Sequence, residues 1–207
     1  MKSILLFIMM FLTIMSPCDI MAQTTTNFVF DTVNWVLPDK YHILEFEGNQ
    51  ALRIENTVSD SYAYLKGYDF SDGIIEFDLY CPTTSAGFIG FLFRLNRYKE
   101  EDRFELFYFR PFMSNSLGAV QYIPVNNGVA YFQYYTDNVY QSIGSFPYNN
   151  WNHVKAEIAG PCAIVYVNDN KVMTVNNLGR GLSKGSVGLW MDSTTPICYY
   201  ANFKVTK

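Results

Sequence analysis

Charge is scarce in this chain. Charged residues make up 16% of the 207, well below the quarter or so usual in globular proteins, and the net charge of −4 leaves no basic field. Nucleic acid and anionic membrane surfaces are therefore poor partners, and an uncharged polar ligand fits better. Histidine occurs only at positions 42 and 153, and there is no Cys-x-x-Cys or Cys/His cluster, so a zinc centre is not expected. No helical period persists for three turns. No repeat, charge block or low-complexity linker divides the chain.

The one long apolar run lies at the start. Lys2 precedes residues 4–15, uncharged and largely apolar, and Ala22 is a small residue ahead of Gln23. This is the pattern of a secretory signal over residues 1–22, with residues 23–207 as one mature domain, secreted or periplasmic. A run of twelve residues falls short of the roughly 20 that a membrane-spanning helix needs, so no membrane insertion is expected. A lipid-anchored surface form through Cys18 is the alternative, but Pro17 departs from a lipobox. Removal of the leader leaves Cys81, Cys162 and Cys198, enough for one disulfide. Cys162 and Cys198 both open strands, which slightly favours that pair.

Aromatic residues, by contrast, are abundant at 17%, with 16 Tyr and 17 Phe. They fall in short runs of period two. In residues 73–81, Ile75, Phe77 and Leu79 alternate with Glu76, Asp78 and Tyr80, which gives one apolar and one polar face. Residues 88–96 repeat the pattern, and Gly90 marks a place where a ligand or another backbone comes close. In residues 103–110, Phe104, Leu106 and Tyr108 share a face with Arg110, while Phe107 and Phe109 share one with Glu105, so parity leaves the core face undecided. Turns are signalled at Gly48-Asn49, Asp72-Gly73, Asn126-Asn127-Gly128 and Asn168-Asp169-Asn170. Asp169 and Asn170 offer oxygens to a structural calcium ion, although the dense Asp spacing of a calcium loop is missing; no other cofactor is expected. Strand after strand of this kind predicts an all-β fold, a two-sheet antiparallel sandwich.

Residues 88–128 hold the densest chemistry. Arg94, Glu105, Tyr108, Arg110, Gln121 and Tyr122 fall on three successive strands of a meander whose ends can converge. Arginine forks, an amide and tyrosine rings with polar tips suit sugar rings, which offer apolar C–H faces and a rim of hydroxyls. The expected partner is a glycan or oligosaccharide. For catalysis the candidates are Glu105, held by an arginine, or the pair Glu76 and Asp78. The tyrosines between 131 and 140 are further stacking candidates.

The order of several motifs resembles the concanavalin A-like lectin/glucanase superfamily, in its laminin-G-like and secreted bacterial hydrolase-like branches. The matching pieces are residues 70–78, 87–94, 104–111, Gln121-Tyr122, Trp151-Asn152-His153-Val154-Lys155, Val165 to Asn168, 185–189 and Tyr200 to Phe203. The resemblance implies a jelly roll with ligand on its concave sheet. It also implies three activities: carbohydrate binding, glycoside hydrolysis or laminin-G-like protein interaction. Family 16 glucanases carry Glu-x-Asp-x-x-Glu on one strand. Here Glu76-Phe77-Asp78 matches, but the third carboxylate position is Cys81, which puts catalysis by that motif in doubt.

Mass spectrometry of the exported protein should find Gln23 as the first residue. A mature form beginning at lipid-modified Cys18 would overturn the soluble reading.

Overall fold

The computed structural model describes residues 24–82, 87–98, 101–127, 129–130, 135, 137–179 and 181–207. The leader with Cys18 and the cut before Gln23, and most of the aromatic run at 131–135, lie outside these residues. The described strands form two antiparallel sheets. The first runs in the order β14 (Asn170–Val175), β13 (Cys162–Val167), β12 (Trp151–Ala159), β6 (Gly73–Tyr80), β16 (Ile197–Thr206), β4 (Asn49–Glu55), β3 (Tyr41–Phe46), and β1 (Thr25–Asn27) also pairs with β16. The second runs β10 (Val129–Ala130), β9 (Leu117–Asn126), β8 (Glu101–Phe109), β7 (Ile89–Tyr98), β15 (Ser186–Met191), β5 (Ser61–Leu65), β2 (Trp35–Val36), with β11 (Gln141–Ile143) on β9. The only helix among the described residues is a single 3₁₀ turn at Pro111–Met113. This is the expected two-sheet antiparallel jelly-roll sandwich.

Alternation explains the layers. On β6, Ile75, Phe77 and Leu79 are fully buried and face the second sheet, while Glu76 and Asp78 face outward. From the other side come Phe91 and Phe93 of β7, Phe107 and Phe109 of β8 and Tyr122 of β9. The Phe91 and Phe107 rings stack at 5.5 Å, and Phe77 meets Phe91 at 5.6 Å and Tyr200 at 5.9 Å, so an aromatic spine joins the sheets. The undecided parity of β8 is thereby resolved. Its phenylalanine face enters the sandwich, and Phe104, Leu106 and Tyr108 are buried on the outer face, at 3%, 1% and 4% exposure.

Two local expectations change, the position of a hairpin turn and the cysteine pairing. The β3–β4 hairpin turns at Glu47-Gly48, one residue earlier than read, because Phe46 pairs with Asn49 and both turn residues take positive φ, 45° and 79°. The third strand of the meander, which carries Gln121 and Tyr122, is ten residues long. The Cys162–Cys198 disulfide is not formed; Cys81, Cys162 and Cys198 are all free and buried. The reason is topology. Cys162 on β13 and Cys198 on β16 are separated by β12 and β6, three strand spacings of about 4.8 Å, which exceeds the roughly 7 Å Cα reach of a disulfide.

Gly90 is explained by the backbone. A Cβ there would run into the Phe107 carbonyl of β8, and one at Gly188 into the Ala63 carbonyl of β5. Of the two readings for Gly90, close backbone approach is the one seen.

Phe91→Ala removes the centre of the spine and should lower unfolding free energy by about 3–5 kcal/mol, measured by urea denaturation. A loss below about 1 kcal/mol would mean that the two sheets are held together elsewhere.

Candidate functional site

Strand pairing builds the site. Tyr62 of β5 pairs with Trp190 of β15, Trp190 with Gly90 of β7, Gly90 with Tyr108 of β8, and Tyr108 with Gln121 of β9. Residues paired in register share a face, so one row crosses five strands on the outer side of the second sheet. The next row repeats it with Tyr64, Gly188, Leu92, Leu106 and Ile123. The result is an apolar, aromatic floor.

A depression of about 430 Å³ opens on this floor, walled by Tyr62, Phe104, Leu106, Val125 and Trp190 and edged by Ser59, Asp60 and Asp102. The rim is polar and tied together. Tyr62 Oη donates to Asp102 Oδ2, Arg97 Nε donates to Asp102 Oδ1 at 2.7 Å, and Arg97 Nη1 donates to Tyr64 Oη at 2.8 Å. Burial pushes the Asp60 carboxyl up, and a hydrogen bond from the Ser193 N–H only partly offsets it. Burial also raises the Tyr62 hydroxyl, which its bond to Asp102 reinforces.

Beside the depression lies part of the expected patch. Tyr108 Oη donates to Gln121 Oε1 at 2.6 Å, and Arg110 Nη2 donates to that oxygen at 2.5 Å and to Tyr108 Oη at 2.8 Å. The Arg110 guanidinium stands 4.9 Å from the Tyr108 ring centre and 5.2 Å from that of Phe88. Burial pushes the Tyr108 hydroxyl up to about 12. Tyr108 and Trp190 rings are 6.0 Å apart, so this triad continues the same surface.

The other three residues of the expected patch are elsewhere. Glu105 is fully buried on the sandwich side of β8, where Tyr122 Oη donates to its Oε2 at 2.6 Å and accepts the Gly179 N–H at 2.5 Å. Phe104 and Glu105 are adjacent on one strand and must face opposite ways, which is why Glu105 and Tyr122 cannot join Tyr108 and Arg110. Arg94 sits in a β-bulge at φ 53°, 4% exposed, and its guanidinium donates to Ser71 O at 2.8 Å and Gly160 O at 2.8 Å. It clamps loops of the first sheet to the second. Glu76 and Asp78 lie on the outer face of the first sheet, the opposite side of the sandwich from the depression. There His153 Nδ1 meets Asp78 Oδ1 at 2.7 Å and its Nε2 lies 3.4 Å from Glu76 Oε1. Among the described residues no group of three or more His, Cys, Asp or Glu is arranged to hold a metal ion.

Sequence reasoning missed Trp190, Tyr62, Asp60 and Asp102. A signal was present for two of them: Val187, Leu189 and Met191 set the buried parity of β15, which left Trp190 outward, and the same parity leaves Tyr62 outward on β5. The carboxylates were not legible, since nothing local places Asp60 beside a strand over a hundred residues later.

No protein-family model matches this chain, and no curated protein does. Solved structures do. A carbohydrate-binding module from Bacillus subtilis superposes with a TM-score of 0.61 at 18% identity, over 83% of this chain and 95% of that one. A β-glucanase from Bacillus licheniformis gives 0.55 at 13%, over 89% and 99%. The carbohydrate recognition domain of Emp46p gives 0.56 at 9%, over 84% and 88%. The fold is therefore the concanavalin A-like jelly roll. At such identities the likeness carries the fold alone.

The His153–Asp78 pair makes a pH prediction. Hydrogen bonding to Asp78, with the Asp78 and Glu76 charges, raises His153 above its ordinary 6.5. Burial pushes the Asp78 carboxyl up, but hydrogen bonds from His153 and Asn202 outweigh it and leave the group below 3.8. The pair's contribution to stability should be complete between about pH 4 and 6.5, fade as pH rises through the raised His153 value, and fade as pH falls through the lowered Asp78 value. A proton NMR titration should place the His153 midpoint above 6.5 and bring it down in Asp78→Asn. A midpoint unchanged by that substitution would show the pair is not formed.

Proposed function

We propose that the chain is an exported carbohydrate-binding domain that holds a neutral glycan in the depression on the outer face of its second sheet. The observation that carries this reading is the row Tyr62, Trp190, Gly90, Tyr108, Gln121. Aromatic rings on a strand floor match the apolar faces of sugars, and Asp60 and Asp102 at its edges match hydroxyls as acceptors. The carbohydrate-binding module and carbohydrate recognition domain among the structural neighbours support the same class of ligand. A leader over residues 1–22 would deliver the domain outside the cytoplasm.

A hydrolytic reading has one observation in its favour. Asp60 and Asp102 both edge the depression, and burial raises the Asp60 carboxyl, the direction a general acid requires. Glu105, fully enclosed in the sandwich, is not placed for that role.

The test uses immobilised neutral polysaccharides (xylan, mixed-linkage β-glucan, mannan and levan) with polygalacturonate as the acidic control. Tyr62→Ala should weaken retention at least tenfold on the retained polymer while the thermal midpoint stays within a few degrees. Arg94→Ala should lower the midpoint and spare retention per folded molecule. Retention of Tyr62→Ala and Trp190→Leu at wild-type levels would move the site elsewhere. Release of soluble sugars that stops in Asp60→Asn would establish the hydrolytic reading.

A further inference from the structure

We propose a second, independent saccharide site on the outer face of the first sheet, centred on Asp78, His153 and Asn202. The opening comes from a break in the sheet. Residues 197–201 of β16 pair with β4, residues 204–206 pair with β1, and the register against β6 shifts between Ala201 and Lys204. Asn202 occupies the break at φ 54°, a conformation asparagine tolerates better than most residues. A depression of about 550 Å³ lies there, and Gln50, Asp78, His153, Asn202 and Lys204 supply its polar wall.

The wall is preorganised by contacts among its own side chains. Asn202 Nδ2 donates to Asp78 Oδ2 at 2.6 Å and to Asn49 Oδ1 at 3.0 Å, His153 is held by Asp78, and Lys204 Nζ lies 3.1 Å from Glu76 Oε1. Each carboxylate there is already met by a basic side chain, Asp78 by His153 and Glu76 by Lys204, so the cluster is not a bare acidic site for a cation. It offers instead what a hydroxyl-rich neutral ligand needs: the Gln50 amide, the Asn202 carbonyl and fixed carboxylate lone pairs.

An aromatic platform adjoins it on the same face. Tyr199 of β16, Tyr80 of β6 and Trp151 of β12 form one register row, and each lies two residues along its strand from Ala201, Asp78 and His153 of the polar row. Phe46 from the β3–β4 hairpin stacks on Tyr199 at 3.9 Å and 8° and meets Tyr80 at 4.9 Å. The Trp151 indole N–H is anchored on Glu47 O at 3.2 Å, which fixes the ring, and Phe46 and Trp151 stay half-buried. A ring platform beside a polar pocket is the same chemistry as the first depression, built from different strands on the other side of the sandwich.

The three tryptophans separate the two sites without further labels. Trp151 reports this site and Trp190 the depression on the second sheet; Trp35, 1% exposed with its indole bonded to Val29 O at 3.1 Å, packs on Phe30 and Phe203, which line this depression, so its signal is compared between wild type and variants without probe as the report of the fold. The experiment is a ¹H–¹⁵N titration of the mature chain with xylohexaose, cellohexaose, laminarihexaose and mannohexaose, each to 20 mM, watching the indole signals. The expected result is a Trp151 shift with at least one probe, weakened at least tenfold in Gln50→Ala and in Asn202→Gly, with Trp190 behaviour and the probe-free Trp35 signal unchanged. Glycine is chosen at 202 because it accepts the positive φ, and Gln50→Ala leaves the backbone break intact. A Trp190 response with none at Trp151 overturns this site and leaves the first standing. A Trp151 shift that survives both substitutions also overturns it. A Trp151 response alone removes the proposed function of the second sheet instead, and silence at both indoles overturns both.

Discussion

Burial of β7, β8, β9 and β15 on both faces is the constraint from which the rest of this structure follows. A strand in a two-layer sandwich needs only one apolar face. Here the inner faces carry Phe91, Phe93, Phe107 and Phe109, and the outer faces carry Leu92, Leu106, Tyr108 and Trp190, all of them buried. The inner set is dictated by contact between sheets. The outer set has no sheet to meet, so its aromatic surface is free to serve a depression with a polar edge.

Satisfaction of buried polar groups then sorts the charged residues. Glu105 inside the sandwich is met by the Tyr122 hydroxyl, and Arg94 in its bulge is met by loop carbonyls. These two charges tie elements together and take no part in the outer surface. Arg110, half-buried at a strand end, engages Tyr108 and Gln121 and shapes that surface. Tyr200 connects the layers. Its hydroxyl, fully buried on β16, donates to the Trp190 carbonyl at 2.6 Å with the Gly90 carbonyl at 3.3 Å, so the first sheet holds two backbone positions of the aromatic row.

Much of the fold was legible because the governing signal is local. Period-two alternation in β6 and β7 predicts strands with the observed bounds to within two residues, and two-residue turns such as Asn168-Asp169, at φ 50° and 63°, announce their hairpins. The site was legible only in part. Tyr108, Arg110 and Gln121 come together as read, whereas Glu105 and Tyr122 do not, because the alternation of β8 is apolar on both sides and gives no hint of which is interior. The bulge at Arg94 reverses parity between Phe93 and Asn96, a change no period could reveal. Trp190 and Asp60 meet Tyr62 and Asp102 through pairings that span 40 to more than 100 residues, and such register information is distributed over the whole chain.

Gly90 and Gly188 set the terms on which this surface could be remodelled. Each lies where a neighbouring strand's carbonyl occupies the space of a side chain, so neither position can be recruited to supply a new contact. The strand-borne part of the floor is thus a fixed scaffold. Variation has to enter through the edge, at Ser59, Asp60 and Asp102, which lie at or beyond strand ends. A library built to change ligand preference would concentrate its diversity on those three positions and leave the five-strand row alone. The floor is held by backbone contacts between strands, and the positions open to replacement lie at its edge.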